Sequence, residues 1–124
     1  MSQERCYTVE EADALLPELR ERLVKIRDAR QVLFREAELV RERVVADGGG
    51  ADAGREYWES TAVLRSELER LAEQEILLRD PETGLVDFPA EREGERVYLC
   101  WLLGEEHVAH WHPLDTGFSG RRRL

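Results

Sequence analysis

Arg96-Val97-Tyr98-Leu99-Cys100-Trp101-Leu102-Leu103-Gly104-Glu105-Glu106-His107-Val108-Ala109-His110-Trp111-His112-Pro113 is the stretch whose reading decides the fold. Its first eight residues are strand formers and are apolar on both alternating faces, with Val97, Leu99, Trp101 and Leu103 on one and Tyr98, Cys100 and Leu102 on the other. Such a strand needs cover on both sides. Gly104-Glu105-Glu106 reads as a turn, and His107 to His112 as a further strand closed by Pro113. Just upstream, Leu85-Val86-Asp87-Phe88-Pro89 reads as a short edge strand, with residues 91–95 as the hairpin connection. The expectation is a small three-stranded antiparallel meander.

The residues before it follow a helical period. Thr8-Val9-Glu10-Glu11 has the form of a capping box, so a helix should begin at Val9. Pro17 lacks the N–H of an interior turn, which predicts a short helix to Leu15 and a kink or restart at the proline. From Glu18 to about Ala46, Leu19, Leu23, Ile26, Leu33, Ala37, Val40 and Val44 step by four and three with Arg30 as the one polar member, a heptad seam. Val24, Val32 and Leu39 form a weaker second row. Asp47-Gly48-Gly49-Gly50-Ala51-Asp52-Ala53-Gly54 stops the helix as a flexible connector; no strand before it and no Gly-Lys-Ser/Thr after it support a phosphate loop. A second helix is expected from Arg55 to Leu78, its seam running through Tyr57, Thr61, Leu64, Leu68, Leu71 and Leu78, before a turn at Asp80-Pro81-Glu82-Thr83-Gly84.

These elements make an α+β chain in one domain over residues 1–124: a long, coiled-coil-like antiparallel helical hairpin over 1–79, then the meander and a Gly/Arg tail over 80–124. Residues 18–46 hold eight basic and six acidic side chains and residues 55–79 four and six, so antiparallel pairing matches charge. Exposed pairs contribute only about 0.3–0.5 kcal/mol each, so the apolar seam must supply the stability. A first helix on the order of 40 Å long exceeds what so short a chain can bury by itself. Together with the two-faced strand, it predicts a homodimer formed through the long helices.

Composition narrows the class. The 124 residues carry a formal charge of −9 and are 36% charged. That field repels nucleic acid and anionic membrane, so neither is an expected partner. No apolar run approaches the roughly 20 residues of a membrane span and the first residues are polar, which predicts a cytoplasmic protein. Cys6 and Cys100, far apart in sequence, are expected to be free thiols in such a reducing compartment.

All three histidines, two of the three tryptophans and one of the two cysteines fall between Val97 and Arg121. His110 and His112 alternate in a strand, so both imidazoles leave one face and can share a metal, with Cys100 or Asp115 as third ligand. Zinc or another divalent transition metal suits those donors, and Glu105 or Glu106 is placed to act as a base on bound water. Hairpin register decides whether Cys100 joins: a two-residue loop sets His110 beside Leu99 or Trp101, a three-residue loop beside Cys100 or its even-numbered neighbours. The ordinary alternative is imidazole and aromatic packing. Asp115 to Arg123 forms a second polar cluster, and with the tryptophans it gives Trp101, Trp111, Arg121 and Arg122 as candidate ligand-binding residues. Here too the ordinary alternative is internal pairing of the arginines with the chain's own carboxylates. A Cys100–His110 nucleophile pair lacks an orienting third group.

Tyr7-Thr8-Val9-Glu10-Glu11-Ala12 with Leu15-Leu16-Pro17, Thr83-Gly84-Leu85-Val86-Asp87-Phe88-Pro89-Ala90, Val97-Tyr98-Leu99-Cys100-Trp101, Gly104-Glu105, and His110-Trp111-His112 through Asp115, Gly117-Phe118 and Gly120-Arg121 follow one another in a fixed order. In this the chain resembles, over almost its whole length, the small prokaryotic family catalogued as domain of unknown function 2203. The resemblance implies a small cytosolic prokaryotic protein. That family is uncharacterised, so no activity, cofactor or catalytic residue carries over. On the residues alone, a homo-oligomeric interaction or ligand-binding module using the C-terminal His/Trp/Arg cluster ranks first. A metal-dependent, hydrolase-like enzyme centred on His110 and His112 ranks second.

Overall fold

The computed structural model describes residues 5–47 and 54–124. Helices α1 (Val9–Asp47) and α2 (Arg55–Glu73) precede five strands, β1 (Leu77–Asp80), β2 (Leu85–Arg92), β3 (Glu95–Leu102), β4 (His110–Pro113) and β5 (Arg122–Arg123). Of the glycine-rich connector read at residues 47–54, Asp47 ends α1 and Gly54 precedes α2, and residues 48–53 lie outside the described residues. No helix among the described residues is long and apolar enough to cross a membrane.

The capping box forms as read: the Thr8 N–H donates to Glu11 Oε1 at 2.8 Å, and the Glu11 N–H donates to Thr8 Oγ1 at 3.0 Å. Past it α1 does not restart at Pro17 but continues unbroken. Pro17 faces solvent between buried Leu16 and Leu19, so water can satisfy the backbone it frees while the flanking side chains hold the helix to its neighbours. The two helices lie antiparallel: Glu18 meets Arg70, Arg22 meets Glu67, and Arg35 meets Glu56. Arg22 is buried, and its guanidinium donates to Glu67 Oε1 at 2.7 Å and to Gln74 Oε1 at 2.8 Å, tying mid-α1 to the end of α2.

Helix α2 ends five residues before the expected Leu78. Glu75 adopts φ 57°, its N–H donates to the Ala72 carbonyl, and the Ile76 N–H reaches back to Leu71. This is a Schellman cap, closed by the buried pair Leu71 and Ile76, with a glutamate where glycine is usual. The stop releases Leu77-Leu78-Arg79-Asp80 to pair with β2, across the turn that the sequence shows at residues 81–84.

The sheet therefore has five strands in the order β1-β2-β3-β4-β5, all antiparallel, rather than three. The two additional strands lie at its edges. Strand β2 extends to Arg92 and turns at Glu93-Gly94, both at positive φ, which suits a two-residue hairpin. Pro89 is tolerated because β1 ends before it, and its carbonyl accepts the Tyr7 N–H at 2.8 Å. Val86, Phe88, Ala90, Val97, Leu99 and Trp101 form one buried face, joined in a single core with Leu16, Leu19, Leu23, Ile26 and Leu71 of the helices.

Candidate functional site

Cross-strand partners share a face, so the register fixes what lies on the other side of the sheet. Asp87 is opposite Cys100, Cys100 opposite His110, and Tyr98 opposite His112. Seven residues, 103–109, separate β3 from β4, and this odd loop sets His110 beside Cys100. Cover for this second face comes from the chain itself. Leu114, Asp115, Thr116, Gly117 and Phe118 wall a cavity of about 300 Å³ together with Arg79, Leu85 and Asp87. One of the two grounds for expecting a homodimer, an uncovered sheet face, is thus met within the chain.

Beneath that cover Asp87, Cys100 and His112 are 2%, 0% and 1% exposed, and one potential ligand atom from each lies within 4.8 Å of the others. Three adjacent strands supply them. His112 Nδ1 sits 2.7 Å from the Pro113 carbonyl oxygen, which can only accept, so Nδ1 carries the proton. His112 Nε2 then faces Asp87 Oδ2 at 3.0 Å, and that contact needs a proton or a cation between the two atoms. Arg79 Nε donates to the same Oδ2 at 2.9 Å. Arg79 sits where the β1–β2 register shifts between Leu78 and Asp80, the kind of bulge that re-aims a side chain. Asp87 Oδ1 is buried with no hydrogen-bond partner among the described residues. Burial pushes the Cys100 thiol up to about 12, and the neighbouring Asp87 charge adds to the effect.

The remaining candidates are placed as follows. His110 lies beside the triad, where Arg121 Nη2 approaches its Nδ1 at 2.8 Å. Arg121 also donates to Glu105 at 2.7 Å, and Glu105 accepts the Leu102 N–H at 2.8 Å, so Arg121 is an internal strut and Glu105 is fully engaged. Glu106 is exposed beside His107. Asp115 is exposed on the cavity wall, outside the triad. Trp101 is fully buried in the helix-facing core and donates from Nε1 to the Glu105 carbonyl at 3.1 Å, so it offers no binding surface. Trp111 and Arg122 are cross-strand partners, with the guanidinium carbon 5.1 Å from the ring.

Asp87 is the residue that sequence reasoning passed over. A signal for it existed: it is the one acid in the apolar run Leu85-Val86-Asp87-Phe88-Pro89-Ala90, where a buried carboxylate needs partners. The three side chains offer a thiolate, an imidazole and a carboxylate, a donor set suited to zinc, with no fourth ligand in the group among the described residues.

No curated protein and no solved structure matches the chain. Its last 120 residues do match a family. The match runs over residues 5–124, and the chain belongs to that family, described as the uncharacterised conserved protein DUF2203.

Proposed function

We propose that this chain is a metal-binding module in which Asp87, Cys100 and His112 hold one zinc ion. The observation that carries the reading is the orientation of His112: its Nδ1–H is tied to a carbonyl, so the lone pair of the neutral ring is at Nε2, aimed at a buried carboxylate beside a buried cysteine. Tying the distal ring nitrogen in this way is how proteins fix a metal-ligating histidine. Ligand atoms on tetrahedral zinc stand about 3.5 Å apart, so the triad must contract by roughly an ångström. With the thiol pushed up to about 12, ionising it at pH 7 costs about 7 kcal/mol, less than the ~10–16 kcal/mol that zinc supplies at structural sites. The fourth position is left to water or a small anion.

Cobalt tests this directly. Protein stripped of metal should bind one equivalent of Co(II) with a thiolate-to-cobalt charge-transfer band, and Cys100→Ser should abolish that band. Purified protein without bound metal, combined with no such band on adding cobalt, excludes the site.

A second reading, self-association through the helices, is favoured by how far α1 outruns α2. The Arg35–Glu56 pair, 3.0 Å, and the proximity of Gly54 to Glu36 set the start of α2 opposite residues 35–36 of α1. Helix α1 then continues to Asp47, roughly 16 Å further. The seam positions Ala37 and Val40 fall in this extension, and Phe34, Leu39 and Trp58 are exposed around it. A second copy, antiparallel, supplies the missing seam. Light scattering at micromolar concentration should give twice the 14.4 kDa chain mass; a monomer excludes the dimer.

A further inference from the structure

Trp111 carries two guanidinium groups. Arg92 lies 4.8 Å and Arg122 5.1 Å from its ring, and neither pairs with a carboxylate among the described residues. In a chain with 27 acidic and 18 basic residues, such freedom is a structural choice of position. Arg92 extends from the end of β2 on the same face as Ala90, in register with Glu95 but not ion-paired to it, whereas its neighbour Glu91 belongs to the opposite face and is in register with Arg96. Stacking on the indole fixes each guanidinium plane and leaves its in-plane N–H edge to meet an anion.

Arg92 also lines a cavity of about 260 Å³ whose walls include Tyr7, Val9, Ala90, Val97, Leu99 and Leu124. The walls are mostly apolar, and Cys6, Thr8 and Glu91 complete the lining, so among the described residues Arg92 is the one cation on it and Glu91 the one acidic side chain. At roughly 30 Å³ per non-hydrogen atom the cavity admits about nine such atoms. We infer that this cavity is a second binding site, separate from the triad, for a small amphipathic carboxylate: an apolar chain or ring in the cavity and its carboxylate on Arg92, with Arg122 reinforcing the field. A polyanion does not fit, because the apolar walls offer it nothing and the net charge of −9 repels it.

Hexanoate, hexanol and inorganic phosphate serve as probes, titrated into full-length protein while tryptophan fluorescence and backbone amide shifts are followed. Hexanoate should saturate in the millimolar range, shifting the amides of residues 6–9, 90–92 and 111. Hexanol should bind at least about ten-fold more weakly, as should hexanoate to Arg92→Gln, with Arg92→Lys intermediate and Arg122→Gln less affected. Phosphate should leave these amides unmoved, and EDTA should change nothing, which separates this site from the metal reading. Equal binding of hexanol and hexanoate, equal binding by Arg92→Gln and wild type, saturation by phosphate at the same amides, or no saturation by hexanoate each overturns the proposal.

Discussion

His112 Nε2 and Asp87 Oδ2 stand 3.0 Å apart with both side chains out of solvent, joining β4 to β2 across the intervening β3. Asp87 Oδ2 also takes a charge-assisted bond from Arg79. The carboxylate is therefore the hub of the second face, and without it Arg79 loses its acceptor and His112 Nε2 its partner. In metal-free protein, Asp87→Asn is expected to cost about 3 kcal/mol in urea unfolding. Combining it with His112→Gln should cost less than the sum of the two single changes, by about 1–3 kcal/mol. Additive losses would mean that the two residues are not coupled.

Cys100 gives the fold a dependence on alkaline pH. Its thiol ionises near 9.0 when unfolded but only at about 12 in the folded protein. Between those values the unfolded chain has already released a proton that the folded chain retains, so stability is complete below pH 9 and falls as pH rises. The slope from this one group is about 1.4 kcal/mol per pH unit. Wild type and Cys100→Ala, compared by chemical unfolding at pH 8 to 10.5 without metal, should converge with that slope above pH 9. Parallel curves would show that the thiol is not held neutral. In the same state a thiol reagent at pH 8 should modify exposed Cys6 and spare Cys100 until the protein unfolds.

The helical half is readable in the sequence because its physics is local. Thr8 and Glu11 stand three apart and cap one another, and Leu19, Leu23 and Ile26 repeat on the helical period, so the chain states its own helix. The start of β1 is not readable in this way. Leu78 continues the apolar row of α2, and the stop is a glutamate at positive φ whose cap depends on Leu71 and Ile76 being buried together. Strand β5 is two arginines, placed by pairing with β4. At the site, Cys100 and His112 stood out as rare residue types in one stretch. Asp87 did not, because acids are common in this chain and only the register of β2 on β3 sets this one beside the thiol.

Gly84 and Gly94 share φ 81° but differ in surroundings. A Cβ at Gly84 would sit 2.6 Å from Leu103 Cβ, whereas one at Gly94 meets nothing within 4 Å. Gly94→Ala should therefore cost only the left-handed strain, about 1 kcal/mol, and Gly84→Ala that strain plus the displacement of Leu103, about 2–4 kcal/mol in all. Thermal unfolding of the two variants separates the terms. Equal losses would mean that Leu103 yields freely and that its N–H bond to the Gly84 carbonyl, 2.9 Å, does not hold β3 against the turn.

Pro17 is an exposed proline inside a 39-residue helix, well past the first turn, where proline is tolerated. It forfeits the bond from its own position to the Asp13 carbonyl. The Asp13 side chain is meanwhile occupied elsewhere, since its Oδ1 accepts the Val108 N–H at 2.7 Å and anchors the β3–β4 loop to α1. Alanine at 17 restores the backbone bond without touching that anchor or the buried Leu16 and Leu19. The helix-propensity difference is about 3 kcal/mol, and the added freedom of the unfolded chain offsets up to about 1, so Pro17→Ala should stabilise the protein by roughly 2 kcal/mol. Urea unfolding measures this, and amide exchange at residue 17 reports whether the new N–H is protected. A loss of stability would instead assign the proline a role in setting the angle at which the first turns of α1 meet the sheet.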